Sequence, residues 1–230
     1  MPFTLDQVIP WGRSMDEYKA MFALSEQDQD SRILSCADGP AGFNAEMNAR
    51  GKRVISIDPV YQFTADEIQD RIDAVYPTVM AQLEQNLDDF VWTSIVSAKA
   101  LGKLRLKTMA RFLVDFPAGK TAGRYQACSL PSLPFADQAF DLALCSHFLF
   151  LYSGQLSADF HCQAIQEMLR VAGEVRIFPL ITLERLPSPH MEVVCKRLAA
   201  SGFRYEVQTV DYEFQRGGNQ MLRIRSNTPV

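Results

Sequence analysis

Short apolar blocks alternate along the chain with longer stretches of helical periodicity, and glycine or proline breaks separate them. Residues 31–36 end in Ile33-Leu34-Ser35-Cys36 and break at Asp38-Gly39-Pro40-Ala41-Gly42, which predicts a strand followed by a tight turn. Residues 43–50 read as a helix that Gly51 can cap. Residues 53–58 are a β-branched strand ending in Asp58 before Pro59. One β-α-β unit results, which demands a right-handed crossover and a parallel sheet, with any ligand outside the carboxyl ends of the strands.

Residues 64–119 turn helical. Ala65, Ile68, Ile72 and Val75 recur at helical spacing. Val79, Leu83, Leu87, Phe90 and Val91 do so again after Pro77, and a third segment runs through Leu101, Leu104, Met109, Phe112 and Leu113. Neighbouring strands of a doubly wound sheet need only one crossover helix, so about two of these helices are surplus and read as an inserted cap. Further strands are expected at residues 124–128, 140–145, 174–181 and 203–214. An amphipathic helix should span 156–171 and another 189–201, closed by Gly202. Arg216-Gly217-Gly218-Asn219 signals a hairpin, with residues 220–225 returning antiparallel. The first 30 residues read as a helical extension packed through Trp11, Tyr18, Met21 and Phe22. The expectation is one α/β domain over 1–230, with the extension at 1–30 and the cap at 64–119.

Composition narrows the function classes. The chain has 230 residues, 23 Lys+Arg against 27 Asp+Glu, and a net charge of −4, so bulk electrostatics do not point to nucleic acid or a membrane surface. The longest nearly apolar stretch, residues 142–152, is about half the ~20 residues of a membrane helix. The N-terminus shows no basic-then-apolar signal pattern. The cysteines Cys36, Cys128, Cys145, Cys162 and Cys195 are single and odd in number, which indicates neither a disulfide framework nor a zinc site and fits a reducing cytoplasm.

The turn at Asp38 to Gly42 and the acid Asp58 are the first candidate chemistry. Glycine at a strand-to-helix turn lets a ligand approach the backbone, and a carboxylate ending the next strand can accept hydrogen bonds from ribose hydroxyls. Together they indicate a nucleoside cofactor without separating a nicotinamide dinucleotide from S-adenosylmethionine. Ala37, Gly39 and Gly42 even fall on the spacing of G-x-G-x-x-G.

Two further blocks separate the alternatives. Residues 129–141, Ser-Leu-Pro-Ser-Leu-Pro-Phe-Ala-Asp-Gln-Ala-Phe-Asp, resemble the D-A-x-x-L-P-F-x-D-x-x-F-D stretch of class I S-adenosylmethionine-dependent methyltransferases. Gln166-Glu167-Met168-Leu169-Arg170-Val171 resembles that family's E-x-x-R-V helix end, and the terminal hairpin suits its antiparallel seventh strand. The resemblance runs from Ile33 to Arg225 apart from the helical insertion. It implies a Rossmann-like, doubly wound, seven-stranded and mostly parallel sheet with an antiparallel last strand.

For the site, the resemblance implies S-adenosylmethionine bound by Ser35, Ala37, Asp38, Gly39, Pro40 and Gly42 around the methionine part. Asp58 would hold the ribose, Ser129 and Leu130 would border the adenine, and Cys145, Ser146 and His147 would lie beside the reactive methyl. The chain departs from the family at Ser35, where an acid is usual, and at Ala37 and Ala41, where glycines are. Asp38 could then offer the carboxylate for the cofactor ammonium.

The implied reaction is methyl transfer to a small-molecule acceptor. The alternatives are a non-catalytic member binding a nucleoside or a partner, and a nicotinamide-dependent oxidoreductase. His147 is counted as a pocket residue rather than an assigned catalyst, since methyl transfer can run on alignment alone. His161 and His190 are read as surface or packing residues, Asp141 as a strand anchor, and Tyr61 and Tyr152 as pocket wall. Lys99, Lys103, Lys107 and Arg111, with Arg105 nearby, make a basic helix face, read as solvated.

Overall fold

The structure, a computed structural model, describes residues 10–226; the N-terminal signal-pattern reading falls largely on residues 1–9, outside the described residues. The strands are β1 (Arg32–Cys36), β2 (Arg53–Ile57), β3 (Tyr125–Gln126), β4 (Phe140–Ser146), β5 (Ala172–Phe178), β6 (Phe203–Thr209) and β7 (Gln220–Ser226). They form one seven-stranded sheet in the order β3-β2-β1-β4-β5-β7-β6. The first five are parallel, and β7 runs antiparallel to both β5 and β6. This is the doubly wound Rossmann-like sheet with an antiparallel last strand.

Side-chain alternation in the strands builds a core on each face. Leu34, Cys36, Ala143, Cys145, Val175 and Ile177 pack with α6 (Ala158–Val171) and α7 (Met191–Ala200). Ile33, Val54, Leu142 and Leu144 pack with α1 (Met15–Met21) and α3 (Phe43–Asn48). The N-terminal extension is therefore structural cover for the sheet, with the short α2 (Glu26–Asp30) leading into β1.

Between β2 and β3 lie two helices where the pattern predicts three segments: α4 (Ala65–Gln85) and α5 (Ala98–Thr121), joined through a 3-10 turn at Leu87–Asp89. α4 continues through Pro77. Proline removes one ladder bond, but the buried stripe Ile68, Ile72, Val79 and Leu83 and a capping box of Thr64 with Glu67 hold the helix on either side of it. α5 packs on α3, β3 and α4 and so serves as the crossover helix.

Two other predicted strands are shorter than expected, and one connection is longer. The third strand is only Tyr125–Gln126, and the sixth ends at Thr209. Residues 210–219 form a long connection rather than a tight hairpin. Their course is fixed by tertiary bonds: the Val91 amide donates to the Phe214 carbonyl at 2.8 Å, and Phe90 bridges Gln215.

The two motif blocks form one structural unit. Glu167 accepts from the Leu133 amide at 2.7 Å. Arg170 donates to the Phe135 carbonyl at 2.8 Å, the Leu133 carbonyl at 3.2 Å and Asp137 at 2.7 Å. The E-x-x-R of α6 thus clamps the Leu-Pro-Phe loop, which carries Ser129 and Leu130 at its start. Among the described residues, no helix is long and apolar enough to cross a membrane.

Candidate functional site

The carboxyl ends of β1, β2 and β4 are level, since Cys36 pairs with both Ile57 and Cys145. The turns leaving these three strands therefore meet at one edge, where a cavity of about 660 Å³ opens. Ala37 to Pro40, Asp58, Ser129, Leu130, Ser146 and His147 all line it. The side chains of α4 line it too, through Ile68, Val79 and Leu83, as does Phe214 of the 210–219 connection.

The turn after β1 is held at every polar atom that matters. Ala37 and Gly39 take left-handed backbone, at φ +55° and +53°. Only glycine does so without strain, so Ala37 stores strain. The Gly39 amide donates to Asp58 Oδ2 at 2.9 Å, and the Gly39 carbonyl accepts from the Tyr61 hydroxyl at 2.7 Å. Tyr61 is fully buried. It braces the turn from behind and does not form the cavity wall that the sequence suggests. Tyr152 does line the cavity.

Asp38 turns inward. Its Oδ1 accepts from Ser35 Oγ at 2.6 Å and from the Tyr18 hydroxyl, and its Oδ2 accepts from Ser56 Oγ at 2.6 Å. Burial pushes its carboxyl up from the ordinary range, against these three bonds. Both oxygens are engaged with protein hydroxyls, so Asp38 ties β1, β2 and α1 together at the cavity floor.

Asp58 presents the available carboxylate. Oδ1 accepts from the Val60 amide at 2.8 Å and Oδ2 from Gly39. One acceptor site on each oxygen remains for a ligand. Burial, with a contribution from the nearby Asp38 charge, pushes Asp58 up to about 6.

His147 also sits in left-handed backbone, at φ +51°, a strain of the kind that clusters at functional sites. Its amide donates to the Phe178 carbonyl at 2.7 Å, and its Nδ1 lies 2.9 Å from Ser146 Oγ. Burial, then the charges of Arg13 and Arg105, hold its pKa well below the histidine range. The imidazole is neutral at physiological pH.

Three candidates lie off the cavity wall. Ser35 is buried and serves Asp38. Cys145 is fully buried on the α6 side of the sheet, and burial pushes its thiol up to about 12. Gly42 is the N-cap of α3 at φ −78°, and a Cβ there would come within 3.0 Å of the Thr108 side chain. Packing of α5, and not ligand approach, requires glycine at that position.

The other side chains singled out in the sequence fall elsewhere. Asp141 takes Arg32 at the start of β1 and anchors that edge. His161 is buried, and its ring lies 4.9 Å from that of His190 in edge-on packing. Lys99, Lys103, Lys107 and Arg111 are exposed, the last 3.5 Å from Glu46. Arg105 does not belong to that face: it is fully buried and paired with Glu17.

The residue that pattern reading missed is Arg13, which lines the cavity from the segment before α1. Gly12 lies against Pro40 so closely that a Cβ would be 2.0 Å from its carbonyl oxygen, and the Gly42 amide donates to the Arg13 carbonyl at 3.0 Å. No local pattern marks Arg13, because the contacts that place it, with Pro40 and Gly42, are distant in the chain.

Comparison with known proteins finds no matching family description. The chain is 31% identical over 225 residues to the uncharacterized protein MJ0045 of Methanocaldococcus jannaschii, covering 96% of this chain and 97% of that one. Its structure is similar to that of magnesium protoporphyrin IX methyltransferase from Synechocystis PCC 6803 with bound SAM, at TM-score 0.48 and 12% identity over 93% of this chain and 78% of that one. It is also similar to 1,6-didemethyltoxoflavin-N1-methyltransferase of Burkholderia thailandensis, at TM-score 0.47 and 14% identity with the same two coverages.

Proposed function

The chain belongs to one family with the protein MJ0045 of Methanocaldococcus jannaschii and has a Rossmann-like methyltransferase fold, and from that premise we propose that it is an S-adenosylmethionine-dependent methyltransferase acting on a small-molecule acceptor. One observation carries the reading: the turn after β1, Asp58 after β2, Ser129 and Leu130 after β3 and His147 after β4 open into a single cavity of about 660 Å³. Crevices at the carboxyl ends of such strands are where this architecture binds nucleotides, and the volume is that of a small-molecule site.

The residues fit the cofactor. Asp58 keeps an acceptor site on each oxygen for two ribose hydroxyls, while the Gly39 turn offers close backbone approach at a position where a side chain would be strained. Ser129 can accept a hydrogen bond from an adenine amino group through its hydroxyl oxygen, with Leu130 as apolar cover. Bound there, the cofactor supplies an electrophilic methyl on a sulfonium. The protein's part is to align an acceptor nucleophile against it and keep water away.

Within residues 64–119, α4 and the start of α5 act as the cap of this site, while the rest of α5 is the crossover helix. Ile68, Val79, Leu83 and Leu101 give it an apolar wall facing Phe148 and Phe214. That lining suits an acceptor with substantial apolar surface. His147, neutral and hydrogen-bonded to Ser146, serves as wall beside the methyl.

Calorimetric titration with S-adenosylhomocysteine tests the reading. Saturable one-to-one binding supports it. Absence of heat together with enhanced NADH fluorescence on mixing would replace it with the nicotinamide alternative.

A further inference from the structure

The N-terminal end of the cavity carries a charge with no ion-pair partner among the described residues. Arg13 lines the cavity, and among the described residues no carboxylate lies within ion-pair distance of it. Its Nη1 donates to the Trp11 carbonyl at 2.8 Å, while its Nε is buried with no acceptor. Nε is thus closed to the cavity, and Nη2, which donates to no described residue and is not among the buried unpaired atoms, is the donor left for a ligand acceptor.

The neighbouring acid cannot supply the missing charge. Glu17 is already saturated: Arg105 donates to both its oxygens at 2.6 Å, Tyr212 to Oε1 at 2.9 Å, and Ser14 to Oε2 through its amide and its hydroxyl at 2.9 and 3.0 Å. Asp38 accepts from three hydroxyls and makes no ion pair with Arg13. Two guanidiniums therefore share one available carboxylate, and Arg13 holds the surplus positive charge.

The position of Arg13 is rigid. Its carbonyl is tied to Gly42 and Gly12 is wedged against Pro40, so its backbone is fixed relative to the turn after β1, and the bond from Nη1 to the Trp11 carbonyl orients the guanidinium. We propose that Arg13 anchors a carboxylate subsite of this cavity, beside Pro40 and His147. This rests on the methyltransferase reading for the identity of the main ligand. A monoanion matches one uncompensated charge. A carboxylate further suits the planar fork of an arginine. It can come from the amino-acid end of the cofactor or from the acceptor.

The two sources separate experimentally by titrating the wild type and Arg13→Gln with S-adenosylhomocysteine and with 5′-methylthioadenosine, which lacks the amino-acid part. Benzoate titrated into each protein, both free and saturated with S-adenosylhomocysteine, probes an acceptor carboxylate. If the cofactor supplies the group, the variant binds S-adenosylhomocysteine about 10–100-fold more weakly and binds 5′-methylthioadenosine as before, the range expected for hydrogen bonds to a charged partner. If the acceptor supplies it, S-adenosylhomocysteine binding is unchanged and benzoate binds the saturated wild type but not the saturated variant.

Equal losses for both nucleosides, or a variant that binds S-adenosylhomocysteine and benzoate as the wild type does, would overturn the subsite. A wild type that binds neither nucleoside overturns the methyltransferase reading instead. The subsite then stands or falls on benzoate binding that Arg13→Gln removes. Because Arg13→Gln takes away an uncompensated charge, the unliganded variant should melt no lower than the wild type. Should it fail to fold, Arg13→Lys replaces it, with an intermediate preference for S-adenosylhomocysteine over 5′-methylthioadenosine as the supporting result and an unchanged preference as the overturning one.

Discussion

The Asp58 carboxylate and the Gly39 amide are joined by a 2.9 Å hydrogen bond that links the end of β2 to the turn after β1. The turn proposed to pass under the cofactor is thereby held by the same group proposed to grip the ribose. Asp58→Ala should lose both functions and weaken S-adenosylhomocysteine by about 10–100-fold, as loss of charged hydrogen bonds does. Calorimetry on the folded variant checks this, and an unchanged dissociation constant would remove Asp58 from the binding site.

The same carboxylate gives a pH dependence. Burial raises Asp58 to about 6, above its unfolded value near 3.9, so between those two pH values the native state holds the extra proton. Its contribution to stability is then present at low pH and lost as pH rises through about 6. Ligand hydroxyls need the ionised form. S-adenosylhomocysteine affinity should be flat above about pH 7 and fall by up to about tenfold per unit below 6, and Asp58→Ala should abolish that slope.

His147 works with the opposite sign. Its native pKa lies well below the ordinary histidine value because of burial and then Arg13 and Arg105, so below about pH 6.5 the unfolded chain takes up a proton that the native state refuses. Stability from this site is complete above that pH and declines as pH falls. His147→Gln should flatten the decline in denaturant melts between about pH 5 and 7. In the wild type the His147 ring resonance should not titrate in that range. A histidine-like titration there would show that desolvation and the two guanidiniums do not hold the ring neutral.

The sheet, the Gly39 turn and Asp58 were legible because local rules write them: short apolar strands, a Gly-Pro break and an acid at a strand end. What the pattern missed depends on tertiary partners. α4 survives Pro77 because its buried stripe packs on α5, and residues 210–219 follow the course set by Phe90 and Val91 rather than a tight hairpin. Asp38 looks available in the sequence because nothing in one dimension reveals that Tyr18, Ser35 and Ser56 converge on it. Arg105 falls in with a lysine face by helical spacing, yet Glu17, 88 residues earlier in the chain, draws it inside. Arg13 escapes a pattern reading for the same reason.

Gly12 tests how tightly the N-terminal segment is bound to the turn. Gly12→Ala would place a Cβ 2.0 Å from the Pro40 carbonyl oxygen and 3.1 Å from the Met109 side chain, so the segment must lift away. Overpacking of this kind destabilises by about 1–3 kcal/mol, and displacement of Arg13 should weaken S-adenosylhomocysteine as well. Gly154→Ala, where nothing lies within 4 Å, is the control that should leave both melting and binding unchanged.

The Glu17–Arg105 pair joins α1 to α5 inside the protein. Arg105 is fully buried and bidentate on Glu17, and its charge and hydrogen bonds, with those of Ser14, hold the Glu17 carboxyl at about 2 despite burial. A lowered native pKa means that this contribution is full above about pH 4.3 and lost as pH falls towards 2. Glu17→Gln removes the counter-charge but leaves Arg105 inside, so it should cost about 3–5 kcal/mol, the penalty for one orphaned partner of a buried pair. Replacing both residues by methionine removes the orphan along with the pair and should recover most of that loss, because a well-packed apolar pair of similar volume commonly matches a buried salt bridge. Urea melts of the single and double variants decide the matter. A Glu17→Gln protein as stable as the wild type would mean that water reaches Arg105 and that the pair is not closed to solvent.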